Sequence, residues 1–207
     1  MIHKTLHIED ASVLLWEITE SEAELTKLLV NFEIYEIEFN QLKTPKRRTE
    51  FLAARIALNT LVGFEVIITY TADGKPFCMD SNLKISISHS GKWVAVMLHP
   101  SKNVGIDIEI PTDRFLKLYR RFLTSKEQDT LFDAADLRKV QLAWSAKETL
   151  YKIIGNEAVN FDKHLEISDF KATETGNFTG VHIVSGTEYT LHYSATREYN
   201  LVYCIEN

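Results

Sequence analysis

With 207 residues, 45% of them hydrophobic and 25% charged, the chain has the composition of a soluble globular protein, long enough for one large domain or two small ones. A net charge of −6, from 29 acidic and 23 basic residues, argues against a general nucleic-acid binder, so an anionic partner needs a local basic patch. No apolar run approaches the ~20 residues of a membrane span, the opening MIHKTLHIEDASVLLWEI lacks the layout of a secretory signal, and Cys78 and Cys204 match no metal or redox spacing. A cytoplasmic protein is expected.

VLLWEI (13–18) reads as a strand, and Ser21 with Glu24 gives a capping-box pattern for a helix through EAELTKLLV. TPKRRTEFLAARIALNTLVG places Pro45 at a helix start and Gly63 at its stop, with Phe51, Leu52, Ile56, Leu58 and Leu61 on one stripe. FEVIITYT, the turn ADGKPF, LKISISH, WVAVMLH and NVGIDIEI make residues 65–110 a run of strands joined by tight turns. Helices return at 113–154. RFLKLYRRF carries Phe115, Leu118, Tyr119 and Phe122 on one stripe and Arg114, Lys117 and Arg121 on another. Thr124 with Glu127 repeats the capping box, and a long helix runs from about Leu137 to Ile154 and stops at Gly155. Four short strands follow, near 165–170, 178–184, 188–193 and 199–205. The fold class is α+β, with strands and helices in each half.

In NVGIDIEI (103–110), Val104, Ile106, Ile108 and Ile110 fall on one side of a strand and Gly105, Asp107 and Glu109 on the other. The two acids then stand about 7 Å apart. They suit either the polar face of a half-buried antiparallel strand or a pair of oxygen ligands for a hard divalent cation. Acids are poor strand formers and like charges on one face repel, which the first reading leaves unexplained.

On the long helix, WSAKETLYK (144–152) aligns Trp144, Glu148 and Lys152 along one side. Ala143, Ala146, Leu150, Ile153 and Ile154 form the apolar side, with Lys147 toward the flank. Taken alone, Glu148–Lys152 is an exposed helix pair worth about 0.3–0.5 kcal/mol. Packed over Asp107 and Glu109, Glu148 would complete a trio of carboxylates that only a cation makes tolerable. Lys152 then suits a phosphate sharing that cation.

GIDIE (105–109) followed by WSAKETLYK, and preceded by GKP (74–76) and SISHSG (86–91), strongly resembles the 4′-phosphopantetheinyl transferase superfamily, with its blocks in that order. The matched blocks reach from about Arg47 to Lys152. The length is similar to that of the larger, surfactin-synthetase-activating type. That type is a monomer of two similar α/β halves related by pseudo-two-fold symmetry, each with a small, mainly antiparallel sheet packed on helices. The resemblance implies a division into 1–102, the coenzyme A nucleotide side, and 103–207, carrying the metal acids and the carrier-protein docking surface.

It further implies a holo-carrier-protein synthase activity. The 4′-phosphopantetheine arm of coenzyme A passes to a serine hydroxyl of an apo acyl or peptidyl carrier protein, releasing adenosine 3′,5′-bisphosphate. Asp107, Glu109 and Glu148 match the family's ligands for Mg²⁺ (or Mn²⁺), and Glu148 also suits acceptance of the serine proton. Lys152 matches a lysine that meets the pyrophosphate. His89, with Ser88 before it, matches the 3′-phosphate contact, and Lys75 and Pro76 match residues beside the adenine. Arg48, with Arg47 as its adjacent alternative, is expected to join His89. Because the family's carrier proteins present an acidic helix, the stripe of Arg114, Lys117 and Arg121 is a candidate docking surface, beside its ordinary reading as a solvated face.

The chain departs from many relatives at GNEAVNF (155–161), where they have a glycine-rich stretch, and at LKIS before SHSG. The alternative is a coenzyme A-binding protein of the same fold that transfers nothing. No nucleic-acid or membrane partner is expected.

Overall fold

The computed structural model describes residues 1–72, 74–79, 81–155 and 159–206. It is mixed α/β with antiparallel sheets, and its contacts divide the chain into two units, Met1–Ser101 and Lys102–Asn207. Among the described residues no helix is long and apolar enough to cross a membrane.

The first unit runs β1 (Ile2–Ile8), β2 (Ala11–Glu17), α1 (Glu22–Leu28), α2 (Glu36–Gln41), α3 (Pro45–Val62), β3 (Ile68–Tyr70), β4 (Pro76–Cys78), β5 (Lys84–Ser90) and β6 (Trp93–His99). Its main sheet has the order β1-β2-β6-β5, and β3 and β4 form a separate hairpin. Every residue of β6 is buried, as expected of a strand flanked by neighbours and covered on both faces. Helix α3 opens with Thr44 accepting a hydrogen bond from the Arg47 N–H, takes Pro45 in its first turn and stops at Gly63, whose φ of 85° is left-handed. Its Leu52 and Ile56 share a core with Leu14 and Trp16 of β2 and with Val94 and Val96 of β6. Strand β1 has five of its seven residues exposed, with only Leu6 and Ile8 half-buried, and it exists through pairing with β2. FEVIITYT is extended as a strand over Ile68–Tyr70 alone, where β4 supplies a partner.

The second unit contains β7 (Val104–Glu109), α4 (Phe115–Leu118), α5 (Ser125–Leu131), α6 (Arg138–Ile154), α7 (Phe161–His164), β8 (Leu165–Ile167), β9 (Thr175–His182), β10 (Thr187–Ala195) and β11 (Asn200–Ile205). The sheet order is β7-β11-β10-β9-β8, antiparallel throughout. Helix α6 covers it, placing Ala143, Ala146, Leu150 and Ile153 in one core with Leu191, Val202 and Cys204.

Three expectations change here. RFLKLYRRF is a single turn of helix followed by a 3₁₀ turn at Tyr119–Arg121, because Phe115 and Phe122 both turn inward against Trp144. The tighter turn leaves Arg114, Lys117, Arg120 and Arg121 exposed. Strand β7 is buried on both faces from Val104 to Ile108, so its acid-bearing side is no solvated face. Lys147, expected on the flank of α6, has no exposed surface at all.

Candidate functional site

Helix α6 approaches β7 more closely than a side chain at position 105 would allow. A Cβ built on Gly105 would lie 2.3 Å from the Thr149 carbonyl oxygen and 2.9 Å from Ile153 Cγ1. Glycine thus lets the helix settle on the strand, with Glu148 and Lys152 over the acid-bearing face. Lys152 Nζ donates to the Ile106 carbonyl oxygen at 2.7 Å and to Asp107 Oδ1 at 3.1 Å. Asp107 is only 5% exposed, so this contact sits in a poorly solvated place.

Glu109 Oε1 accepts from Arg114 Nη2 at 2.5 Å and from Trp144 Nε1 at 3.2 Å. Burial pushes the Glu148 carboxyl up to about 7. The charge of Asp107 adds to the rise, Lys152 opposes it, and Glu109 and Arg114 contribute smaller effects of opposite sign. Three carboxylates therefore sense one another, with Lys152 and Arg114 as the neighbouring cations.

The chemistry of this donor set fits a hard divalent cation, which takes carboxylate oxygens and would relieve the repulsion at Glu148. Among the described residues no three His, Cys, Asp or Glu side chains are grouped to hold a metal. Lys152 pairs with Asp107 Oδ1 and Arg114 with Glu109 instead. Metal binding at these acids would have to displace Arg114 from Glu109 and loosen Lys152 from Asp107.

In the first unit, Arg47 Nη1 lies 2.5 Å from His89 Nε2 and 2.9 Å from Glu50 Oε2. His89 Nδ1 stands 3.5 Å from the same Glu50 oxygen, and Glu50 is 3% exposed. Arginine can only donate, so Nε2 is the accepting nitrogen and the ring proton belongs on Nδ1, facing Glu50.

Arg48, expected beside His89, points elsewhere. Its Nε donates to the Leu42 carbonyl oxygen, its Nη1 is 3.6 Å from Glu22, and its guanidinium lies over the Phe39 ring. Successive helical residues diverge by about 100°, so only one of two adjacent arginines can reach β5. Ser88 is nearly buried and, one residue from His89 in β5, faces the opposite side of the strand. Lys75 lies in the turn between β3 and β4, bridged to Thr71 through backbone and hydroxyl hydrogen bonds, and Pro76 pairs with Tyr70. Of the 155–161 stretch, residues 156–158 lie outside the described residues, as does Asp73 of the 72–77 turn.

Sequence reasoning missed Glu50 and the pairing of Arg114 with Glu109. Glu50 carried a weak signal, being an acid i+3 from Arg47 on a helix; the Arg114 contact forms across a turn and carried none.

Residues 103–204 match the model of the 4′-phosphopantetheinyl transferase superfamily. The match takes in nearly all of the second unit. A Synechocystis sp. protein, named provisionally as a 4′-phosphopantetheinyl transferase, is 28% identical over 126 residues, covering 54% of this chain and 51% of its own. The phosphopantetheinyl transferase of Thraustochytrium sp. is 31% identical over 134 residues, 52% of this chain and 46% of its own. The 4′-phosphopantetheinyl transferase AcpT of Salmonella typhimurium is 31% identical over 120 residues, 54% of this chain and 62% of its own. The chain spans about half the length of the curated relatives it matches. The superfamily match contains GIDIE and WSAKETLYK, and so all three acids and Lys152, while GKP and SISHSG lie before it.

Proposed function

We propose that the chain transfers the 4′-phosphopantetheine arm of coenzyme A to a serine hydroxyl of an apo acyl or peptidyl carrier protein, releasing adenosine 3′,5′-bisphosphate. The observation that supports this is that Glu148 lies near enough to Asp107 and Glu109 to feel their charge, beside Lys152, inside the segment that matches the superfamily. Asp107, Glu109 and Glu148 would hold Mg²⁺, or Mn²⁺ in its place. Bound there, the ion would neutralise charge on the departing 5′-phosphate of the nucleotide and polarise the attacked phosphorus.

Lys152 Nζ moves from Asp107 to a pyrophosphate oxygen, within reach of the same carboxylates. A Glu148 oxygen accepts the serine proton, directly or through water, as the serine oxygen–phosphorus bond forms and the bond from phosphorus to the leaving pyrophosphate oxygen breaks. The protein supplies little else beyond positioning and charge, because the nucleophile comes from the partner.

In the first unit the 3′-phosphate falls to Arg47 and His89, with Glu50 keeping both side chains in place. Lys75 and Pro76 stand for the adenine contacts, Ser88 for a further nucleotide contact, and Arg48 is replaced in its role by Arg47. The exposed Arg114, Lys117, Arg120 and Arg121 steer and dock the acidic helix of the carrier. The reading includes two related halves, divided near residue 102, acting as a monomer in the cytoplasm.

Incubation with Mg²⁺, coenzyme A and an apo carrier protein should add the arm to the carrier, read by mass. Asp107→Ala should abolish the addition. Coenzyme A binding without transfer to any fatty-acid, polyketide or peptide-synthetase carrier would replace this reading with that of a binding protein.

A further inference from the structure

Lys147 and Glu127 are 0% and 1% exposed. Lys147 Nζ donates to Glu127 Oε2 at 2.6 Å and approaches the carbonyl oxygens of Phe122 at 2.8 Å, Phe161 at 2.9 Å and Leu165 at 2.8 Å. An ammonium has three hydrogens, so these four acceptors use all of them and leave none for a phosphate. Glu127 is equally committed. Its Oε2 accepts from the Thr124 N–H at 2.6 Å and its Oε1 from the Ile167 N–H at 2.7 Å.

One charged pair thus ties α6 to the end of the basic segment, to the start of α5, to α7 and to β8. Stability alone does not call for it, since well-packed apolar residues of similar volume commonly replace a buried ion pair at no loss. What apolar residues cannot do is hold three separate carbonyls to one point.

We propose that Lys147 and Glu127 are positioning residues for the transfer, fixing Phe122 and the Phe161–Leu165 segment against Trp144 and Tyr151, which flank Glu148 on α6, without contacting coenzyme A. The functional part rests on the transferase reading. The positional part has a readout of its own. A Lys147→Met change strands a buried carboxylate and is expected to melt far lower, so the informative variant is Lys147→Met with Glu127→Gln, which removes both charges together. Lys147→Arg, keeping the charge opposite Glu127 but not the point geometry, serves the same purpose if the double variant does not fold.

Three measurements are compared with the wild type: amide hydrogen exchange, coenzyme A affinity by calorimetry, and turnover with a carrier protein. Exchange over residues 115–123 and 161–167 should rise at least tenfold while β5 and β6 stay unchanged. Coenzyme A affinity should hold within twofold, and kcat should fall at least tenfold. Wild-type exchange together with wild-type turnover would overturn the inference, and so would a loss of coenzyme A affinity with exchange unchanged. A wild type that transfers nothing, paired with the expected exchange difference, would defeat the transferase reading and leave the positional one standing.

Discussion

Glu148 carries an acid that burial and its neighbours hold near 7, against 4.5 for the free carboxyl. Between those values the folded state keeps a proton that the unfolded state has released, so stability falls as pH rises from 4.5 to 7 and stays lowered above. Glu148→Gln should therefore raise the melting temperature at pH 8 and leave it unchanged at pH 4. At 1.36 kcal/mol per pH unit the gain is at most about 3–4 kcal/mol, and partial exposure reduces it. Millimolar Mg²⁺ should narrow the pH 8 difference, because a bound cation favours the ionised carboxylate; melts indifferent to both pH and Mg²⁺ would contradict this account. The arginines offer a second test at this scale. Arg47→Ala should weaken binding of coenzyme A at least tenfold but barely affect the analogue lacking the 3′-phosphate, whereas Arg48→Ala, which loses contacts to Leu42 and Glu22, should alter neither by much.

Among the elements, the seating of α6 on β7 decides the geometry of the acids. Gly105→Ala must push the helix off the strand, since its Cβ would meet the Thr149 backbone, which cannot swing aside as a side chain tip would. A cost of about 1–3 kcal/mol is expected, read by denaturant unfolding. Turnover should drop further than stability explains, because Lys152 and Glu148 move with the helix. Turnover matching wild type would show that the close contact does not set the site. The boundaries of α1, α3 and α5 were legible because their caps are local: Ser21 with Glu24, Thr44 with Pro45, and Thr124 with Glu127. The 115–121 segment was not, because the pull of two buried aromatic rings, a tertiary effect, outweighed its helical periodicity.

For the molecule as a whole, a net charge of −6 and a basic segment pull in opposite directions. On the proposed function an acidic carrier would be repelled at long range and attracted at close range, so added salt should screen both and weaken docking most where the arginines lie. Lys117→Glu should raise KM for the carrier several-fold with little change in KM for coenzyme A. Steady-state kinetics at two salt concentrations would expose an unaltered carrier KM, which would remove the basic segment from the interface.

The residues of the proposed site were visible in the sequence, since Asp107, Glu109, Glu148 and Lys152 lie in short blocks whose spacing along a strand and a helix is set by local backbone geometry. Which cation each acid meets was decided only by the fold. Arg114 reaches Glu109 around a turn, Arg47 rather than Arg48 faces His89, and Lys147 leaves the flank for a buried cage built from segments 14 to 25 residues away. A helix pattern states which direction a side chain leaves the axis; what waits there depends on contacts between residues far apart in sequence, and these form only when the chain packs.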